Sequence, residues 1–341
     1  MKTLLISNFL LKLSRMISFK IIDTESGQTL EKYVRKVLNT APLSFIYKLF
    51  RKKDIKVNGH WEKEKYILNV DDEVSIYVTD SQLEEFNKKN EYQPNDSIRD
   101  WIIYEDKNII LINKPRGVLV QKDDHSSDKA LDQLVIEYLM YKGEYDPQKE
   151  QGFKPGPAHR IDRNTSGIVI FGKNHASLVY LFELLKNHEL IGKHYISLVC
   201  GDVLEDGLVE APLRKNFDQK KVVVASVKDG GKPSKTIYHV LEHLNGYTLL
   251  DLTLVTGRTH QIRAHMSYIR HHVVGDTKYG DFKVNNLFKK EYGFENQFLH
   301  ASELHFGKLE KPLENLSSKS FKAEVPDEYK ELIEKLKEKV A

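Results

Sequence analysis

The chain has 341 residues, 40% of them hydrophobic and 30% charged, with a formal net charge of +3. That length and apolar content can bury a large core and form more than one domain, whereas the lone cysteine, Cys200, excludes a disulfide framework and a cysteine-cluster metal site. Cys200 follows an apolar run and reads as a small buried hydrophobe. A charge of +3 does not announce a nucleic-acid protein by itself, so its distribution has to be followed along the chain.

Residues 1–15 carry a short apolar stretch broken by Ser7, Asn8 and Lys12, without a small-residue cleavage site. They are expected to be an extension or a misassigned start ahead of Met16, and they are too short to span a bilayer. Between Thr29 and His60, eight bases (Lys32, Arg35, Lys36, Lys48, Arg51, Lys52, Lys53, Lys56) face two acids (Glu31, Asp54), a local charge of +6. Leu30, Tyr33, Val34, Val37 and Leu38 recur at helical spacing, and Phe45, Ile46, Leu49 and Phe50 make a second amphipathic run. Ile55-Lys56-Val57 before Asn58-Gly59 reads as a strand entering a tight turn, and Val74–Val78 closes a small module over residues 16–80. Residues 81–97, polar with few apolar anchors, read as a linker.

From residue 98 strand patterns dominate: Ile102–Tyr104, Ile109–Ile112, Ile168–Phe171 and Tyr195–Val199. Thr236–Leu244 and Tyr247–Val255 flank Asn245-Gly246, the strongest hairpin signal in the chain. Helices are predicted over Ala130–Met140, Ala176–His188, Gln261–Ile269 and, after Pro326, Asp327–Val340. Hairpins with inserted helices predict an α+β fold with a mainly antiparallel sheet and flanking helices. The polar segment Lys122–Lys154 is expected to be a helix plus a surface loop that helps select the ligand.

Two segments are dense in chemistry. His159-Arg160-Ile161-Asp162-Arg163-Asn164-Thr165-Ser166 sets one carboxylate between two arginines, just before Gly167 and a buried strand. On this octet alone Asp162 either holds a turn through a salt bridge or is a carboxylate kept ionised for nucleophilic work. Thr256–Met266 ends a strand, opens a helix and offers Arg258 and Arg263 as fixed cations for that carboxylate. The fourteen histidines show no metal-ligand spacing, so no metal is expected, and His271-His272 reads as a polar loop or a nucleic-acid-facing patch.

Together with Asn113-Lys114-Pro115 and Gly117, Lys193-His194-Tyr195 and Gly201, Gly275-Asp276, Tyr279-Gly280, and Leu299-His300-Ala301, these segments resemble the ordered motifs of the RluA-type RNA pseudouridine synthases. Ile161 and Arg163 stand where that family more often has Leu and Lys, changes that keep size or charge. The resemblance implies a pseudouridine synthase catalytic domain over 98–341. It also implies that residues 16–80 form an S-four-like RNA-binding module, whose basic face, with Arg35, Lys36, Arg51, Lys52 and Lys53, meets phosphates.

By the same resemblance Asp162 attacks or deprotonates the uridine sugar while the base detaches, turns and rejoins through carbon five. Tyr195 stacks on the flipped base, and Arg263, with Arg258 as second choice, pairs with Asp162. Arg160 fills the gap left in the RNA or clamps a phosphate, and His159, Lys114, Lys193 and Arg258 contact the substrate. The implied activity is an isomerase acting in the cytoplasm as a monomer, without cofactor or membrane, on ribosomal RNA first and transfer RNA second. An RNA-binding assembly factor is the alternative of a different class. A glycoside hydrolase would need a second flanking carboxylate, and no motif supplies one.

Overall fold

A computed structural model describes residues 14–88, 92–123, 128–187, 190–219 and 221–338. The chain divides into two compact units, one comprising 1–94, 139–155 and 174–176 and the other 95–138, 156–173 and 177–341.

In the first unit, β1 (Ser14–Lys20) is followed by α1 (Leu30–Val37), α2 (Leu43–Lys52), β2 (Ile55–Val57), β3 (His60–Trp61), β4 (Glu73–Thr79) and α3 (Asp80–Phe86). The strands form an antiparallel sheet in the order β1-β4-β2-β3. Thr29 caps α1 by accepting from the Lys32 N–H, and the predicted positions Leu30, Tyr33, Val34 and Val37 are buried in a core with Ile46, Phe50, Ile55, Val74 and Ile76. Asn58 and Gly59 both have positive φ, 52° and 81°, the geometry of a two-residue hairpin turn.

Three expectations change here. β1 begins at Ser14, with Met16 paired to Tyr77, so the ordered fold starts before Met16. The expected linker begins as α3, fixed by a capping box between Thr79 and Gln82; residues 89–91 lie outside the described set. Residues 139–155, expected within the catalytic domain, belong to the first unit. The Gly152 N–H donates to Glu25 Oε1 at 2.6 Å, Gln28 Nε2 donates to the Gly152 carbonyl at 3.0 Å, and Thr24 donates to Glu150 at 2.8 Å. A Cβ on Gly152 would lie 1.9 Å from the Tyr33 ring, so only glycine allows this approach.

The second unit contains β5 (Ile102–Glu105), β6 (Ile109–Lys114), the start of α4 (Leu131–Tyr141), β7 (Gly156–Pro157), β8 (Ser166–Gly172), most of α5 (His175–Asn187) and β9 (Ile191–Cys200). It continues with β10 (Gly207–Glu210), β11 (Leu213–Asn216), β12 (Lys221–Val224), β13 (Lys235–His243), β14 (Tyr247–Leu254), α6 (Gln261–Tyr268), α7 (Phe282–Tyr292), β15 (Leu299–Phe306), β16 (Ser320–Lys322) and α8 (Asp327–Glu338). The main sheet runs β10-β13-β14-β9-β15-β8-β6-β5, with β16 on β15 and β7 on β8, and is antiparallel except for β15 against β8. The α+β architecture is therefore as expected. The strand at 299–306 and the short strands β10, β11, β12 and β16 were not anticipated, nor was α7. Asn245 and Gly246 turn the β13–β14 hairpin with φ of 50° and 79°, as their dipeptide predicts. His188 and Val340, predicted helix ends, lie outside the described residues.

The register of the central strands sets the level of the site. Ala301 of β15 pairs with Tyr195 of β9 on one side and with Gly167 of β8 on the other. β8 is buried at every position, as suits a strand covered on both faces. Gly167 has φ +109°, and a Cβ there would stand 2.2 Å from the Ala301 carbonyl oxygen, so β8 can approach β15 this closely only at a glycine.

Two outcomes follow from these contacts. Gly167→Ala combines backbone strain with a clash against main chain and should destabilise the second unit by about 3 kcal/mol or more, read as a lowered urea midpoint; an unchanged midpoint would refute the close approach. Glu25 is buried, and burial first of all, against the bonds from Gly152 and Ile22, raises its pKa from 4.5 to about 7. The folded chain then keeps a proton that the unfolded chain loses, so stability of the first unit is greatest below pH 4.5 and falls as pH rises toward 7, by on the order of 3 kcal/mol. Glu25→Gln removes that loss: amide exchange of β1 and β4 should match the wild type at pH 4 and be slower at pH 8.

Candidate active site

The 159–165 loop enters β8 and is fixed from below by a buried lysine. Lys114, at the end of β6, is fully buried and its Nζ donates to the carbonyls of Pro115, Val118 and Arg163 at 2.9, 2.9 and 3.0 Å. Burial pushes its pKa down to about 7, against the pull of Asp162. Lys114, expected to meet the substrate, is not among the residues that line the cleft: its Nζ is directed at three main-chain carbonyls, and it shapes the loop that carries Asp162. The Gly117 N–H and carbonyl are bound by Arg163 at 2.9 and 2.8 Å, Asn164 donates to Asn296, and Gln297 donates to Thr165. The backbone around Asp162 is thus held from several sides, as precise positioning of a reactive group requires.

The side chain of Asp162 is held by α6. Arg263 Nη1 donates to Asp162 Oδ2 at 2.7 Å, while its Nε and Nη2 grip Asp276 at 2.6 and 2.8 Å. Asp276 also accepts the N–H groups of Lys278 and Tyr279. Burial alone would raise the Asp276 pKa, but the Arg263 bonds and these N–H groups hold it below the carboxylate range. Arg263 is raised for the same reason, its two carboxylates outweighing desolvation. Arg258, the second candidate partner, is exposed and donates to the Pro233 carbonyl at 3.3 Å. Sequence alone assigns Asp276 no role, because a buried carboxylate gripping the arginine is legible only once α6 and the 275–280 turn are folded together.

A cleft of about 460 Å³ opens over Asp162, a volume suited to a nucleotide-sized ligand. Asp162, Tyr195, Lys193, His159, Arg160, Arg258, His260 and Arg263 all line it, so seven of the expected site residues converge there. Tyr195, on β9, is 6% exposed, and its phenol is pushed above its usual pKa by burial and then by Asp162, so it stays neutral. Lys193, also buried, is lowered to about 8 by desolvation. His159 accepts the Ile170 N–H at Nε2, and burial lowers its pKa to about 3, so it is a neutral wall of the cleft. Arg160 stands exposed at the rim.

In the first unit, Arg51, Lys52 and Lys53 are exposed at the end of α2, with Lys53 over the Trp61 ring at 5.1 Å. Arg35 pairs with Glu31 at 3.2 Å. Lys36 departs from the expected basic face: it donates to Gln28 at 2.8 Å, lies over Phe153, and is lowered to about 8 by burial. Among the described residues no group of His, Cys, Asp and Glu could hold a metal ion, and no helix is long and apolar enough to cross a membrane.

Residues 108–268 match the family model described as RNA pseudouridylate synthase. The chain is 33% identical over 311 residues to ribosomal large subunit pseudouridine synthase C of Salmonella typhimurium, covering 86% of this chain and 92% of that protein. It is 34% identical over 294 residues to the protein of the same name from Escherichia coli K12, covering 84% and 87%. An uncharacterized RNA pseudouridine synthase of Mycoplasma capricolum is 32% identical over 311 residues, covering 89% and 96%. The structure of human RNA pseudouridylate synthase domain containing 4 superposes with a TM-score of 0.56 at 23% identity, covering 71% of this chain and 94% of that one, a likeness of fold. With its motifs, fold and full-length relatives in agreement, the chain belongs to the RNA pseudouridine synthase family and is an isomerase that converts uridine to pseudouridine in RNA.

Proposed function

We propose that Asp162 is the catalytic carboxylate, Tyr195 the ring that stacks on the extruded uracil, and Arg263 the cation that holds and orients Asp162. The observation that carries this reading is the pairing of Asp162 with Arg263 on the floor of a cleft walled by Tyr195. Arg263 occupies one carboxylate oxygen and leaves the other open to the cleft. The uridine base must leave its stack to be detached and rejoined, and an aromatic face offsets the stacking it loses. Asp162 then acts on the ribose by attack at carbon one or by removal of the carbon-two proton; both steps need an ionised carboxylate. Arg160 and Arg258, exposed at the rim, suit phosphates on either side of the flipped nucleotide, and Lys193 suits a polar atom of the base inside the cleft.

The substrate is structured RNA of the large ribosomal subunit, acted on in the cytoplasm by a single chain. Support comes from the relatives named for that subunit and from the exposed cluster Arg51, Lys52 and Lys53 on a sheet-and-helix module with S-four-like patterning.

Large-subunit RNA tritiated at carbon five of uridine should release label with the wild-type chain. With Asp162→Asn it should release none while still binding RNA. Release by Asp162→Asn would remove Asp162 from the chemistry. Replacing Arg51, Lys52 and Lys53 together by Ala should flatten the dependence of log Kd on log salt by about 2 if each meets one phosphate; an unchanged slope would place the RNA contacts elsewhere.

A further inference from the structure

The two oxygens of Asp162 have different surroundings. Oδ2 is bound by Arg263, whereas Oδ1 faces Nε2 of His260 at 3.7 Å. That gap is longer than a hydrogen bond, but catalytic contacts commonly tighten only with substrate in place. One bond to one oxygen leaves the carboxylate free to turn about Cβ–Cγ, and a donor beside the second oxygen removes that freedom.

His260 is built to be such a donor. It begins α6 with φ +52°, a left-handed conformation that a non-glycine residue adopts at a cost. Its ring meets the Tyr279 ring edge to face, with centroids 5.6 Å apart, and Nδ1 lies 2.9 Å from Tyr279 Oη. The Val222 N–H donates to that same Oη at 2.7 Å. The protons can then be assigned. A neutral imidazole has one N–H, and a lone pair on Nε2 facing a carboxylate would be repulsive, so Nε2 carries the proton. Nδ1 therefore accepts the Tyr279 hydroxyl, whose oxygen accepts from Val222. Burial chiefly lowers the His260 pKa; Asp162 and Asp276 raise it, while Arg263 and Lys278 lower it, and the ring is neutral at pH 7.

We propose that His260 is a positioning residue for the isomerisation: its Nε2–H closes on the free oxygen of Asp162 and fixes the carboxylate plane, and Tyr279 sets the tautomer that makes this possible. The inference rests on Asp162 being the catalytic carboxylate.

The test is single-turnover tritium release at saturating RNA. His260→Phe keeps a ring but no donor and should slow release by about tenfold or more, with RNA affinity within about twofold of wild type. His260→Gln returns an N–H near the same place and should recover most of the rate. Tyr279→Phe frees the tautomer and should slow release several-fold at pH 7.5. A purely structural ring would show no recovery by Gln. A His260→Phe rate within about twofold of wild type, or equal loss in the Phe and Gln variants, overturns the inference. Asp162→Asn separates the two readings: if it still releases label, the catalytic reading itself fails, whereas an inert Asp162→Asn beside a normal His260→Phe sinks only the role of His260.

Discussion

One guanidinium between two carboxylates organises this molecule's site. Arg263 spends Nε and Nη2 on Asp276 and Nη1 on Asp162, which uses the planar fork in a way no lysine could reproduce. The division of labour follows from burial. Asp276 is fully buried and anchors the arginine with help from two backbone N–H groups, while Asp162 is partly open to the cleft. Arg263 alone faces two anions, and Lys193 and Lys114 stand near Asp162 as further cationic groups. A buried carboxylate is tolerable only where each oxygen is hydrogen-bonded or hydrated.

The main chain at Asp162 is set separately. Lys114 gathers three carbonyls beneath the loop, and the glycine at 167 lets β8 lie close enough to β15 for Tyr195, Ala301 and Gly167 to stand in one row across the sheet. Backbone and side chain of Asp162 therefore have independent anchors. A fault in one does not by itself misplace the other, and the carboxylate is pre-organised.

Much of this was legible in the sequence where the signal is local. Asn58-Gly59 and Asn245-Gly246 announced their turns, helical spacing in Leu30–Val37 gave α1, and continuous apolar runs gave β6 and β8. Asp162, Tyr195 and Arg263 were legible as a set only through ordered motifs, since nothing in the spacing brings residues about a hundred positions apart into contact. What escaped reading is non-local. β10 to β12 are four residues each, so periodicity has too few positions to register. Lys114 and Lys36 read as cations for RNA because lysine is usually solvated, and only the fold shows that backbone carbonyls or Gln28 take their protons. His260 lies inside the Thr256–Met266 segment and Tyr279 inside a motif, but the hydroxyl-to-imidazole link between them exists only after the start of α6, β12 and the 275–280 turn have met.

The first unit is discontinuous in sequence: Gly152 and its neighbours, drawn from beyond the expected linker, complete the packing around Glu25, Gln28 and Tyr33. A ribosome making this chain releases residues 14–88 well before residue 152 exists, so during synthesis the emerging module has a bare Tyr33 ring and an unfilled Glu25. Its assembly finishes only when a later stretch of the same chain arrives. An N-terminal fragment excised at the apparent linker would be frozen at that unfinished stage, and a gene fusion that borrows the module must carry residues 139–155 as well.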